Sequence, residues 1–349
     1  MQDIFKLSVK KGASDIHLVV AAPALLRIDG ELVPVESKKA LTRKDIEQMA
    51  FSLINEEQKK RFMADKELDF GYEDNNEARF RINLFYERGN LGLVARVITD
   101  IIPGLEDLFI SKVVYNLLNL RQGLILVTGP TGCGKSTTLA AMINYINQQR
   151  NSSIVTLEDP IEFRFKHDKS VIVQRQLGSD MASFNEGLKH VLRQDPNIIM
   201  VGEMRDLDTI AATITLAETG HLVLATLHTY GAAQTIDRII DIFPPYQQTQ
   251  VRLQLSMTLA AVISQRLLVK ISGGRIAARE ILVNTPAVSN LIRENKIVQI
   301  KTVIETSSKE GMISLDHDLK RLYDEKIITK EAAQSHMNNP GLLEKFRIL

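Results

Sequence analysis

Polar and apolar residues alternate in short segments of the first hundred residues. Residues 15–20 and 25–28 are predicted strands, and the Asp29-Gly30 pair behind the second is typical of a hairpin turn. Residues 78–85 alternate strictly, and residues 91–98 form a further predicted strand directly after them. The spacing therefore predicts four strands in this part of the chain.

A helical spacing of apolar residues separates these two pairs of strands. Thr42 is a favourable N-cap residue. The apolar residues that follow it at helical spacing are Ile46, Met49, Ala50, Leu53 and Ile54. The pattern predicts one helix over residues 42–63, and helix and strands together indicate a small α+β domain at residues 1–99.

The apolar runs of the second part of the chain are hydrophobic on both faces. They lie at residues 124–127, 154–157, 198–201 and 222–226, with helical stretches between them. Strands of this kind that alternate with helices predict a parallel sheet covered on both sides. We therefore predict an α/β core over residues 110–349.

A linker signal lies between these two regions. Residues 100–109 contain Pro103-Gly104, a pair that commonly interrupts regular structure. After about Ser289 the chain is predicted to be largely helical, with Thr329 as an N-cap near its end. A length of 349 residues is sufficient for the two domains that these boundaries imply.

Composition and charge exclude several classes of protein. The 43 basic residues balance 42 acidic ones, so no global field points to nucleic acid or to an anionic membrane. Cys133 is the single cysteine, which excludes an intrachain disulfide and a cysteine-based zinc cluster. The N-terminus lacks the layout of a signal peptide, and no apolar run is long enough to span a membrane. We expect a cytoplasmic protein whose membrane contact comes only through a partner.

Residues 129–137 read Gly-Pro-Thr-Gly-Cys-Gly-Lys-Ser-Thr, a complete phosphate-loop pattern between a predicted strand and a helix-prone stretch. The glycines let backbone N–H groups turn towards phosphate oxygens, and the following helix N-terminus adds partial positive charge. Lys135 is placed to reach the β- and γ-phosphates, and Ser136 to ligate Mg²⁺. The pattern predicts binding of a nucleoside triphosphate. The candidate binding residues are Gly129, Pro130, Thr131, Gly132, Cys133, Gly134, Lys135, Ser136 and Thr137.

Carboxylates follow two of the buried strands. Glu158, Asp159 and Glu162 come at or just past the end of one strand, and Glu203 follows another. Ligands of open α/β sheets gather at the carboxyl ends of strands, so acids there are well placed for Mg²⁺ and water. Alternatively, any one of these acids only caps the next element from a solvated loop.

One histidine and three arginines each allow two interpretations. His228, behind a buried strand, either contacts the γ-phosphate as a sensor or packs as an ordinary structural residue. Arg79, Arg81 and Arg96 lie on predicted strands and either form a solvated face or act as arginine fingers towards a nucleotide on a neighbouring subunit.

Five sequence blocks, taken in order, resemble the secretion and pilus motor ATPases. They are the phosphate loop, the acid box Thr-Leu-Glu-Asp-Pro-Ile-Glu at 156–162, residues 195–206 with Gly-Glu-Met-Arg-Asp, residues 217–229 with Ala-Glu-Thr-Gly-His and Thr-Leu-His-Thr, and Gly-Ala-Ser-Asp-Ile-His-Leu at 12–18. The resemblance runs from about residue 5 to about residue 330. Within that superfamily the chain looks most like the PilT-like retraction ATPases of type IV pili.

Three features favour the PilT-like branch. We expect the N-terminal region to be a single compact domain without the extra module of many assembly ATPases, and their tetracysteine zinc insertion cannot exist in a chain with one cysteine. Residues 287–294, Ala-Val-Ser-Asn-Leu-Ile-Arg-Glu, resemble the PilT-type motif Ala-Ile-Arg-Asn-Leu-Ile-Arg-Glu and depart from it at Val288 and Ser289. Helical spacing places four residues of this motif on one apolar face, namely Ala287, Val288, Leu291 and Ile292.

The resemblance implies a fold, ligands and roles for the acids. The core would be a RecA-like P-loop NTPase domain with a mainly parallel sheet, preceded by a small PAS-like α+β domain, and its ligands would be ATP and Mg²⁺. Glu203 would be the Walker B acid and share the metal with Ser136. Glu162 would be the general base, with Glu158 and Asp159 in support.

The resemblance also assigns roles to the remaining candidates. His228 would belong to the family's histidine box, and Arg81 and Arg96 would reach a nucleotide across subunits, with Arg79 as a weaker match. Family members usually have serine where this chain has Cys133. Because that position contributes mainly its backbone N–H, nucleotide binding should survive the difference.

The resemblance implies a homohexameric motor that hydrolyses ATP and powers pilus retraction and twitching motility. It would act on a PilC-like platform protein from the inner face of the cytoplasmic membrane, by closing and opening its two domains around ATP. The alternatives are a motor of a type II secretion or DNA-uptake pseudopilus, an auxiliary retraction motor, and a regulatory scaffold that binds ATP without turnover. A nucleic-acid translocase is disfavoured because the charge is balanced and no aromatic-basic stripe is present.

Overall fold

The computed structural model describes residues 1–28, 30–35, 39–74, 78–98 and 101–343. The chain forms two compact units, Met1–Ile101 and a second one that begins at Ile102. The predicted boundary at residues 99 and 100 lies outside the described residues, and so does Asp29 of the predicted hairpin turn. None of the helices in the described residues is long and apolar enough to cross a membrane.

The first unit is an antiparallel sheet accompanied by helices, as the α+β prediction required. Its elements are α1 (Gln2–Lys10), β1 (Asp15–Leu18), β2 (Leu25–Ile28), β3 (Glu31–Pro34), α2 (Arg43–Phe51), α3 (Glu56–Asp65), β4 (Glu67–Glu73), β5 (Arg79–Glu87) and β6 (Asn90–Ile98). The strand order is β3-β2-β1-β6-β5-β4. Because side chains alternate along β5, Phe80, Ile82 and Leu84 are buried in a core that also holds Phe5 and Phe62.

The single helix predicted over residues 42–63 is wrong, because two helices occupy this stretch. Thr42 caps α2 as predicted, with its side chain accepting a hydrogen bond from the Asp45 N–H. Asn55 then starts α3 with a second capping box, in which the Asn55 and Gln58 side chains each accept from the other's backbone N–H. A capping box satisfies the free donors of a new helix start, and apolar periodicity does not record this signal.

The second unit is built on a seven-stranded sheet. Its strands are β7 (Gly123–Thr128), β8 (Ser153–Glu158), β9 (Val171–Gln176), β10 (Ile198–Val201), β11 (Leu222–Leu227), β12 (Leu259–Val269) and β13 (Arg275–Val283). Their order is β13-β12-β7-β11-β10-β8-β9, and all neighbours are parallel except the β12-β13 pair. The four predicted buried strands and the mainly parallel sheet are confirmed. The prediction missed β9 and the long β12-β13 hairpin.

Helices cover this sheet and form the end of the chain. They are α4 (Lys112–Leu117), α5 (Lys135–Gln149), α6 (Phe184–Val191), α7 (Leu207–Glu218), α8 (Ala232–Asp241), α9 (Pro245–Thr258), α10 (Pro286–Arg293), α11 (Ile300–Thr306), α12 (Leu315–Asp324) and α13 (Lys330–Gln334). The helical C-terminal region is as predicted, and Thr329 caps α13 through the Ala332 N–H. On α10, Val288 and Ile292 are buried but Ala287 is exposed, so the apolar face is narrower than predicted.

The parallel arrangement fixes where chemistry can take place. β8, β10, β11 and β7 are consecutive neighbours that run in the same direction. The segments that leave their carboxyl ends therefore emerge at one edge of the sheet, in keeping with the general position of ligands in open α/β sheets. The phosphate loop, the acid box, Glu203 and His228 all follow these strands.

Candidate active site

The phosphate loop begins where β7 ends. All six residues of β7 are buried, so the strand holds the start of the loop rigidly inside the sheet. Gly129 has a φ of 142°, and a Cβ atom there would collide with the carbonyl oxygen of Gln265 and lie 2.6 Å from Cys133 Sγ. Only glycine fits such a position, because it combines a left-handed backbone with close approach of neighbouring atoms.

The side chain of Gln265 on β12 fixes the phosphate loop by hydrogen bonds. The sequence analysis did not identify this residue. Its Nε2 donates to the carbonyl oxygen of Cys133 at 2.8 Å, and its Oε1 accepts from Thr138 Oγ1 at 3.0 Å. The side chain is only 1% exposed, so both hydrogen bonds lie in the interior. One amide thus ties the middle of the loop to the first turns of α5. The signal that could have revealed it is an amide within a long apolar segment.

Lys135 lies at the start of α5 and folds back over the loop. Its Nζ donates to the carbonyl oxygens of Gly129 at 2.9 Å and Pro130 at 3.1 Å. Burial lowers the pKa of Lys135, and the negative charges of Glu203 and Glu162 act in the opposite direction. Both carboxylates are therefore close enough to Lys135 to influence its charge. The structure brings together these three predicted residues from separate parts of the chain.

Glu203 lies between the side chains of Arg205 and His228. Arg205 Nη2 contacts Glu203 Oε2 at 2.9 Å, and His228 Nε2 contacts Glu203 Oε1 at 3.1 Å. Burial raises the pKa of Glu203, but the hydrogen bond and charge of Arg205, together with His228, outweigh burial and lower the pKa below its usual value. Arg205 also reaches Asp159 at 3.7 Å. The side chain of Glu203 is thereby held as a carboxylate.

His228 bridges the acid and the phosphate loop. Besides Glu203, its ring contacts the loop through Nδ1, which lies 3.3 Å from Thr131 Oγ1. The imidazole therefore connects the ends of β10 and β11 with the tip of the loop. Its two ring nitrogens thus contact Glu203 and Thr131, the geometry on which a sensor role would depend.

The acid box contains two glutamates in opposite environments. Glu158 is buried and accepts hydrogen bonds from Thr156 Oγ1 at 2.6 Å and Gln174 Nε2 at 3.1 Å. Burial raises the pKa of Glu158, and these two hydrogen bonds act against that rise. Glu162 is exposed. The geometry therefore gives Glu158 a structural position and leaves Glu162 open to water.

The arginines of the first unit pair with that unit's own carboxylates. Arg96 Nε donates to Asp15 Oδ1 at 2.9 Å, and Arg81 Nε lies 3.7 Å from Asp69 Oδ1. Arg81 and Arg96 face each other directly across β5 and β6. Their side chains remain 39% and 63% exposed. Arg79 is paired with Glu73 at 2.9 Å and is the more covered of the three.

Two oxygen ligands for a metal ion are available beside the loop. The Ser136 hydroxyl lies in the first turn of α5, and Glu203 supplies a carboxylate. Within the described ranges, no group of three or more His, Cys, Asp or Glu side chains is arranged to hold a metal ion. This set fits Mg²⁺, which is commonly held by one or two protein oxygens together with substrate phosphates and water.

Comparison with known proteins gives full-length similarities. The family model described as "Type II/IV secretion system protein" matches residues 1–273. The chain is 44% identical to the type IV pilus retraction ATPase PilT of Pseudomonas aeruginosa over 338 residues, which cover 97% of this chain and 98% of that protein. It is 45% identical to a twitching motility protein of Neisseria gonorrhoeae over 316 residues, which cover 90% and 84% of the two chains.

The fold is similar to that of two solved ATPase structures. The crystal structure of the pilus retraction motor PilT with bound ADP superposes with a TM-score of 0.91 at 44% identity and covers 99% of both chains. The ATPase DotB of Legionella pneumophila superposes with a TM-score of 0.85 at 25% identity and covers 96% of this chain and 94% of its own.

Proposed function

The chain belongs to the type II/IV secretion system protein family, and on that premise we propose that it is the ATP-hydrolysing motor of type IV pilus retraction. The chain is an ATPase, and its similarity to a retraction ATPase extends over 97% of its length. The observation that carries the ATPase activity is the chain of contacts that runs from Glu203 through His228 to Thr131 of the phosphate loop. The similarity to a twitching motility protein supports retraction as the work performed.

Binding of ATP rests on the loop and on Lys135. The residues 129–137 present backbone N–H groups to the phosphate oxygens, and Gln265 fixes the loop in that shape. Lys135 exchanges its two carbonyl contacts for oxygens of the β- and γ-phosphates. Ser136 and Glu203 would hold Mg²⁺, and the bound ion would neutralise charge on the β- and γ-phosphates.

Hydrolysis requires a general base, and a motor also requires a group that responds to the loss of the γ-phosphate. The exposed Glu162 carboxylate takes a proton from water, whose oxygen forms the new bond to the γ-phosphorus. The bond between that phosphorus and the bridging oxygen to the β-phosphate breaks, and ADP leaves with the electron pair. His228, which contacts both Glu203 and Thr131, registers the loss of the γ-phosphate.

Assembly as a homohexamer brings positive charge from a neighbouring subunit to the bound nucleotide. Arg81 and Arg96 are exposed on adjacent strands; Asp15 fixes Arg96 by a hydrogen bond, whereas Arg81 makes only a long ion pair with Asp69. An exposed guanidinium with a fixed position is suited to offset transition-state charge on a nucleotide bound by a neighbouring subunit. The ring acts from the cytoplasmic side of the membrane on a PilC-like platform protein, and it does not bind nucleic acid.

Removing the gene tests the direction of work. A strain without this protein should lose twitching motility and carry excess pili, because assembly continues without retraction. The measurements are the zone of twitching and the number and length of pili by electron microscopy, with the gene restored as a control. A strain that loses its pili would show that the protein drives assembly instead, and a strain without any change would refute a pilus role.

A further inference from the structure

Strand β9 lies at the edge of the sheet beside β8 and carries two glutamines, Gln174 and Gln176. Because they are two positions apart, their side chains lie on the same face of the strand as the buried Ile172. Both side chains contact the backbone of residues 161–165, which follow β8 and include Glu162. The acid box is therefore attached to a second strand besides the one that it leaves.

The amide of Gln174 satisfies the backbone that follows Glu162. Its Nε2 donates to the carbonyl oxygen of Phe163 at 2.8 Å, and its Oε1 accepts from the N–H of Phe165 at 3.0 Å. The same Nε2 donates to Glu158 Oε1 at 3.1 Å. Backbone groups in a loop lack the partners that a strand ladder supplies, and a glutamine can serve both kinds because its amide contains a donor and an acceptor. One side chain thus fixes three residues of this region.

The backbone before Glu162 is held from the same strand. Gln176 Oε1 accepts from the N–H of Ile161 at 3.2 Å. Burial raises the pKa of Glu158, and hydrogen bonds that include one from the backbone of Glu162 oppose this rise. The residues on both sides of Glu162 are therefore bound to β9, and its own backbone contacts a buried carboxylate.

The remainder of the connection to β9 has a separate anchor. Asn147 on α5 is 1% exposed, and its Nδ2 donates to the carbonyl oxygen of Lys166 at 2.8 Å. Its Oδ1 accepts from the N–H of Asp168 at 3.1 Å. Loss of the Gln174 amide should therefore release the short segment around Glu162 and leave the rest of the connection in place.

We propose that Gln174 is a positioning residue for the general base, an inference that rests on the role of Glu162 in the proposed function. Glu162 is exposed, so its carboxylate takes its position from the backbone that carries it. Gln174 holds that backbone on its C-terminal side. A general base has to lie within hydrogen-bond reach of the attacking water, and a displacement of about 1 Å can slow a reaction about 10²-fold.

A double-mutant cycle tests this role. Gln174→Met keeps the length of the side chain and removes its hydrogen bonds to the loop. In the full-length protein it should slow single-turnover phosphate release by about 10- to 10²-fold. The affinity for ATP should not change, because the phosphate loop keeps its own contacts. In the Glu162→Gln background the same substitution should cause no further loss, because the base that Gln174 positions is already absent.

Two further glutamines supply matched variants. Gln176→Met removes the contact with Ile161 and should slow phosphate release less than Gln174→Met. It carries the test if circular dichroism shows that Gln174→Met does not fold. Gln248 on α9 makes a comparable bond, from its Nε2 to the carbonyl oxygen of Phe243 at 3.1 Å. Gln248→Met should therefore leave both the rate and the affinity unchanged.

Three results would overturn the inference. They are an unchanged rate in Gln174→Met, an equal loss with and without Glu162→Gln, and a fall in ATP affinity as large as the fall in rate. The last would leave Gln174 with a purely structural role. A full rate in Glu162→Gln alone would instead refute the base assigned in the proposed function, and the inference would fall with it.

Discussion

The two units of this chain place their charged groups in opposite ways. In the second unit the sheet is almost wholly parallel, and Glu203 and His228 lie just beyond strand ends. Glu203 Oε1 is 3.1 Å from His228 Nε2. In the first unit the sheet is antiparallel, and Arg81 and Arg96 stand in mid-strand, opposite each other on β5 and β6. One unit gathers its polar side chains at an edge, whereas the other spreads them over a face.

This difference separates groups that meet one another at one sheet edge from groups that pair with their own strand neighbours. At the parallel edge, the carboxylates of Glu162 and Glu203 act on the charge of Lys135, which burial would otherwise disfavour. On the antiparallel face, the partner of each arginine is a local carboxylate, such as Asp15 for Arg96. Arg81 and Arg96 are thus paired within their own unit, and the proposed contribution to hydrolysis in trans requires a neighbouring subunit to meet them.

The largest effect is expected from mixing two inactive variants. Lys135→Ala removes the mobile cation of the loop and should reduce phosphate release below detection. Arg81→Ala should reduce it by about 10³-fold or more, the usual contribution of an arginine finger. In an equal mixture, some interfaces combine an intact Lys135 with an intact Arg81 from the neighbour, so part of the activity should return.

The concentration dependence of the unmodified protein serves as the control. Activity per subunit should rise as rings form, and Asp69→Asn, which removes the partner of Arg81, should leave that rise in place. A mixture no more active than its two components would refute action in trans. Full activity of Arg81→Ala alone would leave Arg96 as the candidate finger.

The second largest effect is expected from replacing the two glutamates of the acid box, whose losses of hydrolysis rate should differ. Glu162→Gln should keep ATP bound but slow hydrolysis by about 10²-fold or more, the usual contribution of a general base. Glu158→Gln should cause a smaller loss, because its carboxylate is occupied by Thr156 and Gln174. Single-turnover phosphate release measures the chemical step in both variants. The reverse order of the two losses would make Glu158 the base.

The smallest effect is expected when a side-chain amide is replaced by leucine, once in each unit. Gln265→Leu leaves the Cys133 carbonyl and the Thr138 hydroxyl without their buried partner, which should lower the free energy of unfolding by about 1–3 kcal/mol. Nucleotide affinity should fall as well. Asn83→Leu changes a partly exposed amide on β5 and should change stability by no more than about 0.5 kcal/mol. Urea denaturation measures the free energy of unfolding, and nucleotide titration measures the affinity. Equal effects of the two substitutions would contradict a special role for Gln265.

The parallel edge could be predicted because its chemistry is local in sequence. The phosphate loop occupies consecutive residues, and Glu203 and His228 directly follow apolar runs that were predicted as strands. A parallel sheet then collects these positions without further information, since all carboxyl ends meet at one edge. The Thr42 cap and the alternating burial along β5 were also predicted, because both signals lie in neighbouring residues of the sequence.

The supporting residues could not be predicted because their partners lie far away in sequence. Gln265 contacts Cys133 across 132 residues, and Arg266 contacts His336 across 70 residues. Both stand on β12, a strand whose polar residues break the apolar pattern that marks the other buried strands. The helix start at Asn55 was missed for a different reason, since hydrophobic periodicity carries no information on capping.

The contacts of Lys135 with the Gly129 and Pro130 carbonyls bear on the energetic cost of nucleotide capture. An ammonium group that already rests on two oxygens has lost much of its hydration shell during folding. A bound phosphate then replaces acceptors of the protein, so Lys135 gives up little hydration at that step. The lysine side chain is thereby preorganised beside the phosphate site, which lowers the cost of ordering it.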